Sequence, residues 1–285
     1  MTRELSRVAV PHNWSAIHDE VRSAGGVIVE GLLDASVVDE LNGDIDRYLV
    51  EHSDAGHAET GSELYDRFLG ARTIRLHGLL DKIPSTEALL AHPELVAWAE
   101  QSMSDLAASV LLSAGEMIEI RSGEPAQLPH RDSDSWPAMP IGETPVVVNA
   151  IVALDETTLD NGATYVAPGS WAWPPERRAE PDEFARAVMS PGDALLFRGD
   201  VIHGGGENTS DGRRRVISVS YCAGWLRPVE NSFLTVPTAT AAAASSAMQG
   251  LLGYRAHDGI EHGGGMVGLY ENGDPGAYLA TQRER

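Results

Sequence analysis

Two hydrophobic periods divide this chain. Over roughly its first hundred residues, apolar side chains recur every three to four positions, the spacing of one helix face. Ile17, Val21 and Ala24 follow that rule from Trp14 to Ala24, and Gly25-Gly26 stops the helix. Asp34 caps a second helix through Val50, with Val37, Val38, Leu41, Ile45 and Leu49 along one side. Pro93 opens a third, predicted to run to about Ser113 on Leu95, Trp98, Met103, Leu106 and Val110. Val27-Ile28-Val29 and the stretch from Arg72 to Leu76 read as short strands, and residues 51–63 as a polar loop.

From Glu116 the pattern becomes short β-type runs parted by Gly, Pro, Asp and Asn. The runs begin at Met117, Pro145, Ala163, Ala187, Ala194 and Val216. Ala167-Pro-Gly-Ser170 and Ser190-Pro-Gly-Asp193 supply turns between them. Strands without intervening helices predict an antiparallel sandwich, a jelly roll or cupin-like double-stranded β-helix. The expected class is mainly β (α+β), with the N-terminal helices packed outside. The expected organisation is one domain over 1–285: a helical part over 1–115, a jelly-roll core over 116–226 and a C-terminal part over 227–285. In that last part Ala239 to Leu252 is a weakly amphipathic helix, and seven glycines between 257 and 276 leave either a tail or a lid.

Composition narrows the function classes. The 285 residues are 42% hydrophobic and 22% charged, ordinary for a globular chain with a core. A net charge of −21 repels phosphate backbones and anionic lipid, so nucleic-acid and membrane-surface partners are not expected. The same charge disfavours a coenzyme A thioester. Cys222 is the sole cysteine, which excludes an internal disulfide and a cysteine-based zinc site. No apolar leader or membrane-length run is visible, so the expectation is a cytoplasmic protein, monomer or homodimer. Lys82 is the only lysine, so an arginine beside a motif carries less weight than usual.

The candidate chemistry starts at His130-Arg-Asp132. Residues two apart on an extended segment point the same way, so this pair can offer two corners of a metal site. A second histidine from elsewhere would complete a two-His-one-carboxylate face that leaves positions open on Fe(II). The short pattern alone is common: His52-Ser-Asp54, His57-Ala-Glu59 and His92-Pro-Glu94 share it, in settings that read as solvated surface. His130 differs because a strand precedes it and Trp136-Pro137 follows. The partner is His203, which ends a tight turn and apolar strand running from Pro191 to Gly206. A core histidine satisfied by a backbone carbonyl is the alternative. Arg214 opens the next strand and shares a face with Ser218, a fork suited to a carboxylate. Arg213 and Arg215 take the other face, where they are expected to cap a solvent-exposed strand start.

His130-x-Asp132, His203-Gly-Gly-Gly-Glu-Asn208, Gly212-Arg-Arg214 and Ile217-Ser218 together resemble the phytanoyl-CoA dioxygenase-like branch of the Fe(II)/2-oxoglutarate-dependent oxygenases. The likeness covers roughly residues 116–225. Asn161-Gly-Ala-Thr-Tyr-Val-Ala-Pro-Gly-Ser170 resembles a further stretch of the family, and Cys222 to Pro228 resembles members that tailor secondary metabolites. The resemblance implies Fe(II) on His130, Asp132 and His203, the catalytic metal ligands. It implies 2-oxoglutarate contacts at Gln127, Thr164 and Arg214, with O2 as oxidant and succinate and CO2 released. A carboxylate at Asp132 argues for hydroxylation, desaturation or oxidative cyclisation, because related halogenases lack it. The substrate is expected to be a small, largely apolar metabolite in a pocket drawn from Arg72, Arg75, Met117, Ile118, Trp136, Met139 and Trp225. Two rivals remain at this point. A cupin-like isomerase or dioxygenase working without 2-oxoglutarate leaves Arg214 and Thr164 unexplained, and a non-catalytic β-sandwich binding module leaves the ligand triad unexplained.

Overall fold

The computed structural model describes residues 4–56, 60–137, 139, 142–257 and 266–282. The pair His57/Glu59 and the glycine-rich stretch 258–265 lie outside them. Among the described residues, ten strands form two sheets. In chain order they are β1 (Arg7–Val8), β2 (Gly26–Val29), β3 (Thr73–Leu76), β4 (Val110–Ile120), β5 (Val147–Ala153), β6 (Tyr165–Val166), β7 (Ala185–Arg186), β8 (Ala194–Arg198), β9 (His203–Gly204) and β10 (Arg214–Ala223). The large sheet has the order β1-β2-β8-β5-β10-β4-β3, and the small one β7-β6-β9. Every pairing is antiparallel except β1 with β2. This is the double-stranded β-helix that the strand runs predict.

Helices cover one face of the large sheet and the small sheet covers the other. Ile17, Val21, Val38, Leu41, Ile45, Leu95 and Trp98 pack from the helical side. Ile28, Ile151, Leu195, Phe197, Val201 and Val216 fill the space between the sheets. With both faces covered, all seven residues of β5 are buried, which explains its continuous apolar run. The first helix, Trp14–Ala24, ends where Gly25 adopts φ +92° and donates its N–H to Val21 O.

The third helix departs from expectation. It spans Pro93–Met103, and Val110 to Ser113 belong to β4. Leu106 is exposed and Val110 packs as a strand residue. Ten registered pairs with β10 outweigh the helical spacing there, and no Gly or Pro marks the boundary. Between Ser220 and Tyr221 the register slips and leaves Ser113 as the extra residue of a bulge. Its carbonyl accepts from Glu230 N at 2.7 Å, which ties the segment after β10 onto the sheet. A helix over Glu63–Leu69 and another over Pro275–Gln282 begin at the ends of the expected polar loop and glycine-rich stretch, in segments for which no element is predicted. Ala239 to Leu252 divides into Thr238–Ala243 and Ser246–Leu251. Among the described residues, no helix is long and apolar enough to cross a membrane.

Candidate active site

One end of the space between the sheets opens into a cavity of about 440 Å3. His130 and His203 face each other across its rim on a single antiparallel bridge, each backbone N–H donating to the other's carbonyl at 3.0 Å. Their rings stand 4.4 Å apart between centroids. Asp132 begins a 3-10 turn, Asp132–Ser135, anchored by Ser133 N donating to Gly199 O. Its two carboxylate oxygens lie 3.5 Å from His130 Nε2 and 3.6 Å from His203 Nε2. One ligand atom from each of the three residues falls within 4.8 Å of the others.

The hydrogen bonds decide what those atoms can do. His130 Nδ1 sits 3.0 Å from Leu128 O, and His203 Nδ1 sits 3.0 Å from Val201 O. A carbonyl only accepts, so each Nδ1 carries the proton and each Nε2 turns a lone pair toward Asp132. Burial drives the His203 imidazole down to about 4, which keeps it neutral. Burial alone would raise Asp132, but the pull of the neighbouring histidines toward their protonated form and the Asn149 amide hold it below the usual carboxylate range. Asn149 Nδ2 donates to Asp132 Oδ2 at 2.9 Å and leaves Oδ1 free. Asp132 draws His130 upward in the absence of a metal. With a cation taking both Nε2 lone pairs, two imidazoles and one ionised carboxylate, each oriented from behind, fit a divalent metal of the iron type. Phe68 packs edge-on against His130, and Phe197 against His203.

At the other end of the cavity, Arg214 is 2% exposed. Its Nε donates to Gly162 O at 3.1 Å, and its Nη2 to the same carbonyl and to Thr164 Oγ1 at 3.2 Å. Gly162 adopts φ +100°, which suits a residue without a side chain. Among the described residues no carboxylate pairs with Arg214. Burial and the neighbouring Arg75 guanidinium push it down to about 10. Arg131 is buried too, but its donors reach Asp200 O and Ser170 O, and Asp134 lies nearby.

The other residues of the expected site divide. Gln127 lines the cavity, yet its side chain is committed to backbone, accepting from Gly205 N at 3.1 Å and donating to Phe68 O at 3.4 Å. Thr164, Arg75, Ile118 and Trp136 line the cavity as well. Met117 does not: it is 0% exposed on the opposite face of β4, since neighbours on a strand alternate. Met139 packs against the helical-side core. Trp225 stands outside, with its Nε1 donating to Leu106 O, and Arg72 is exposed on the surface. Arg215 corrects the expectation of a solvent-exposed cap, because it is 0% exposed and paired with Glu119 at 2.6 Å. Of the decoys, His52 is exposed and stacked on Tyr48, and His92 precedes a helix.

Sequence reasoning missed Asn149, Phe68 and a charged quartet, three of whose members line the cavity. In the quartet Glu116 lies 2.9 Å from Arg75 and 3.2 Å from His77, and His77 lies 3.8 Å from Glu230. The Glu116 and Glu230 carboxylates raise His77 to about 10. A lone asparagine inside the apolar run of β5 was the one signal available for Asn149.

The fold is shared with solved non-haem alpha ketoglutarate-dependent enzymes. The epimerase SnoN, solved with Fe3+, alpha ketoglutarate and nogalamycin RO, superposes with a TM-score of 0.59 at 23% identity, over 78% of this chain and 88% of that one. The phytanoyl-CoA dioxygenase (PhyH) family profile matches residues 21–216, and the chain belongs to that family. Dioxygenase swnH2 of Arthroderma benhamiae is 28% identical over 99% of this chain and 92% of its own length. The iron/alpha-ketoglutarate-dependent dioxygenase penM of Penicillium thymicola is 30% identical over 89% of this chain and 82% of its own. The protein is an enzyme of this iron- and 2-oxoglutarate-dependent dioxygenase class.

Proposed function

We propose that His130, Asp132 and His203 hold Fe(II), and that Arg214 with Thr164 receives the distal carboxylate of 2-oxoglutarate. The observation that carries this is the buried Arg214 charge, which no carboxylate of the described chain neutralises. An isolated buried cation is unfavourable, and a dicarboxylate whose other end chelates the metal removes the penalty. Iron on these three residues, with 2-oxoglutarate and O2, would supply oxidative chemistry at a substrate C–H bond, with succinate and CO2 as co-products. The chain's own residues orient and enclose. Leu128 O and Val201 O fix the imidazole tautomers, and Asn149 sets the carboxylate. Phe68, Phe197 and Trp136 shield the site from water.

The substrate is a small metabolite that the enzyme hydroxylates, desaturates or oxidatively cyclises. The test is succinate formation and oxygen uptake with Fe(II), ascorbate and 2-oxoglutarate, together with anaerobic metal binding. Wild type turns over 2-oxoglutarate slowly without substrate, whereas His203→Ala loses tight metal binding and His52→Ala retains it. No succinate and no anaerobic 2-oxoglutarate binding in wild type would sink the reading.

A further inference from the structure

The cavity floor carries more polar chemistry than a largely apolar substrate needs. Along the inner face of β10, Arg214, Val216, Ser218 and Ser220 follow one another. Register places Glu116 opposite Ser218, and both Ala114 and Asn149 opposite Ser220. Ser218 and Ser220 are half-buried, line the cavity and make no side-chain hydrogen bond within the described chain. Glu116 reaches the same floor with lone pairs left over after Arg75 and His77. Ile118, Ile151 and Val216 supply an apolar wall beside this polar lane.

The charges of the wall cancel. Arg75 and His77 are offset by Glu116 in the wall and by Glu230 just behind it. Arg131 and Asp134 line the cavity with opposite charges. With the metal and 2-oxoglutarate placed as proposed above, two positive charges on iron meet two negative charges on 2-oxoglutarate, and Arg214 balances Asp132. No unmatched charge remains for a charged substrate, and a buried charge without a partner is costly.

We propose that the substrate is a neutral molecule with an apolar body and at least two hydroxyl or carbonyl groups, held by Ser218, Ser220 and Glu116. An acid, an amine or a coenzyme A ester does not fit this balance. The proposal rests on the assignment of the metal and 2-oxoglutarate positions, so that assignment is checked first, by titrating 2-oxoglutarate into the full-length protein loaded with redox-inert Zn(II). Three probes on one skeleton then follow: a decalin diol, the decalin carboxylate and the decalin amine.

The diol is expected to bind about tenfold or more tighter than either charged probe. A Ser218→Val/Ser220→Val double variant that keeps its melting temperature loses about fivefold in diol affinity for each hydroxyl partner removed, one ordinary hydrogen bond apiece. If the double variant does not fold, the wild-type ranking decides alone. If 2-oxoglutarate itself fails to bind, the functional assignment falls and this proposal with it. If 2-oxoglutarate binds but a charged probe equals or exceeds the diol, or no probe binds, this proposal alone is overturned.

Discussion

Arg214 and Arg215 are neighbours on one strand with nearly equal burial, yet opposite surroundings. Arg215 points to the helical side, where Glu119 at 2.6 Å, Asp46 at 2.7 Å and Asn42 at 2.9 Å take its donors. Arg214 points into the cavity and finds one backbone carbonyl and one hydroxyl. A strand alternates its faces, so one step along the chain separates a charge used for architecture from a charge kept for a ligand. Burial does not distinguish the two; the supply of anions does.

Removing each charge sharpens that contrast. Arg215→Met removes the buried counter-charge of Glu119, itself 2% exposed, and leaves it only the more exposed Arg121 at 3.0 Å and Arg213 at 3.7 Å. The expected cost is about 3–5 kcal/mol, the usual consequence of breaking a buried pair from one side, and chemical denaturation measures it. Arg214→Met strands no carboxylate, so its stability stays close to wild type. Equal losses in the two variants would erase the distinction.

A smaller effect is expected at the metal. Asn149→Ala frees Asp132 Oδ2 and should weaken metal binding roughly 10- to 100-fold, as the loss of a partner behind a ligand commonly does. Competition with a chelating dye reads the affinity, and an unchanged value would make Asn149 a bystander. The smallest effect concerns His77, whose side chain is 45% exposed. Its folded value of about 10 lies above the ordinary 6.5. Its contribution is therefore complete below pH 6.5 and disappears as pH rises toward 10. The stability gap between wild type and His77→Gln should narrow from pH 7 to pH 10, as followed by thermal melts. A gap that widens would contradict a protonated His77.

The same contrast explains what the sequence could disclose. The runs of β5, β8 and β10 are legible because turn residues bound them and both faces are covered. His130, Asp132 and His203 could be picked out by their order along the chain, and the bridge from His130 to His203 brings them together. The end of the third helix is not, since long-range pairing with β10 decides it at Val110. Arg215 reads as a surface residue because its partners are distant, with Asp46 and Asn42 on the second helix and Glu119 on β4. Met117 and Ile118 cannot both face the cavity, and only the register of β4 tells which one does. The quartet of Arg75, His77, Glu116 and Glu230 joins three separate segments, so no local motif announces it.

The central claim is that Arg214 is held without a counter-charge in order to bind the distal carboxylate of 2-oxoglutarate. Anaerobic calorimetric titration of 2-oxoglutarate into metal-loaded wild type and Arg214→Met tests it most directly. Wild type should bind, and Arg214→Met should bind at least about 30-fold more weakly with its metal affinity unchanged, from the roughly 2 kcal/mol or more that losing a buried charge pair costs. Equal 2-oxoglutarate affinity in the two proteins would contradict the account.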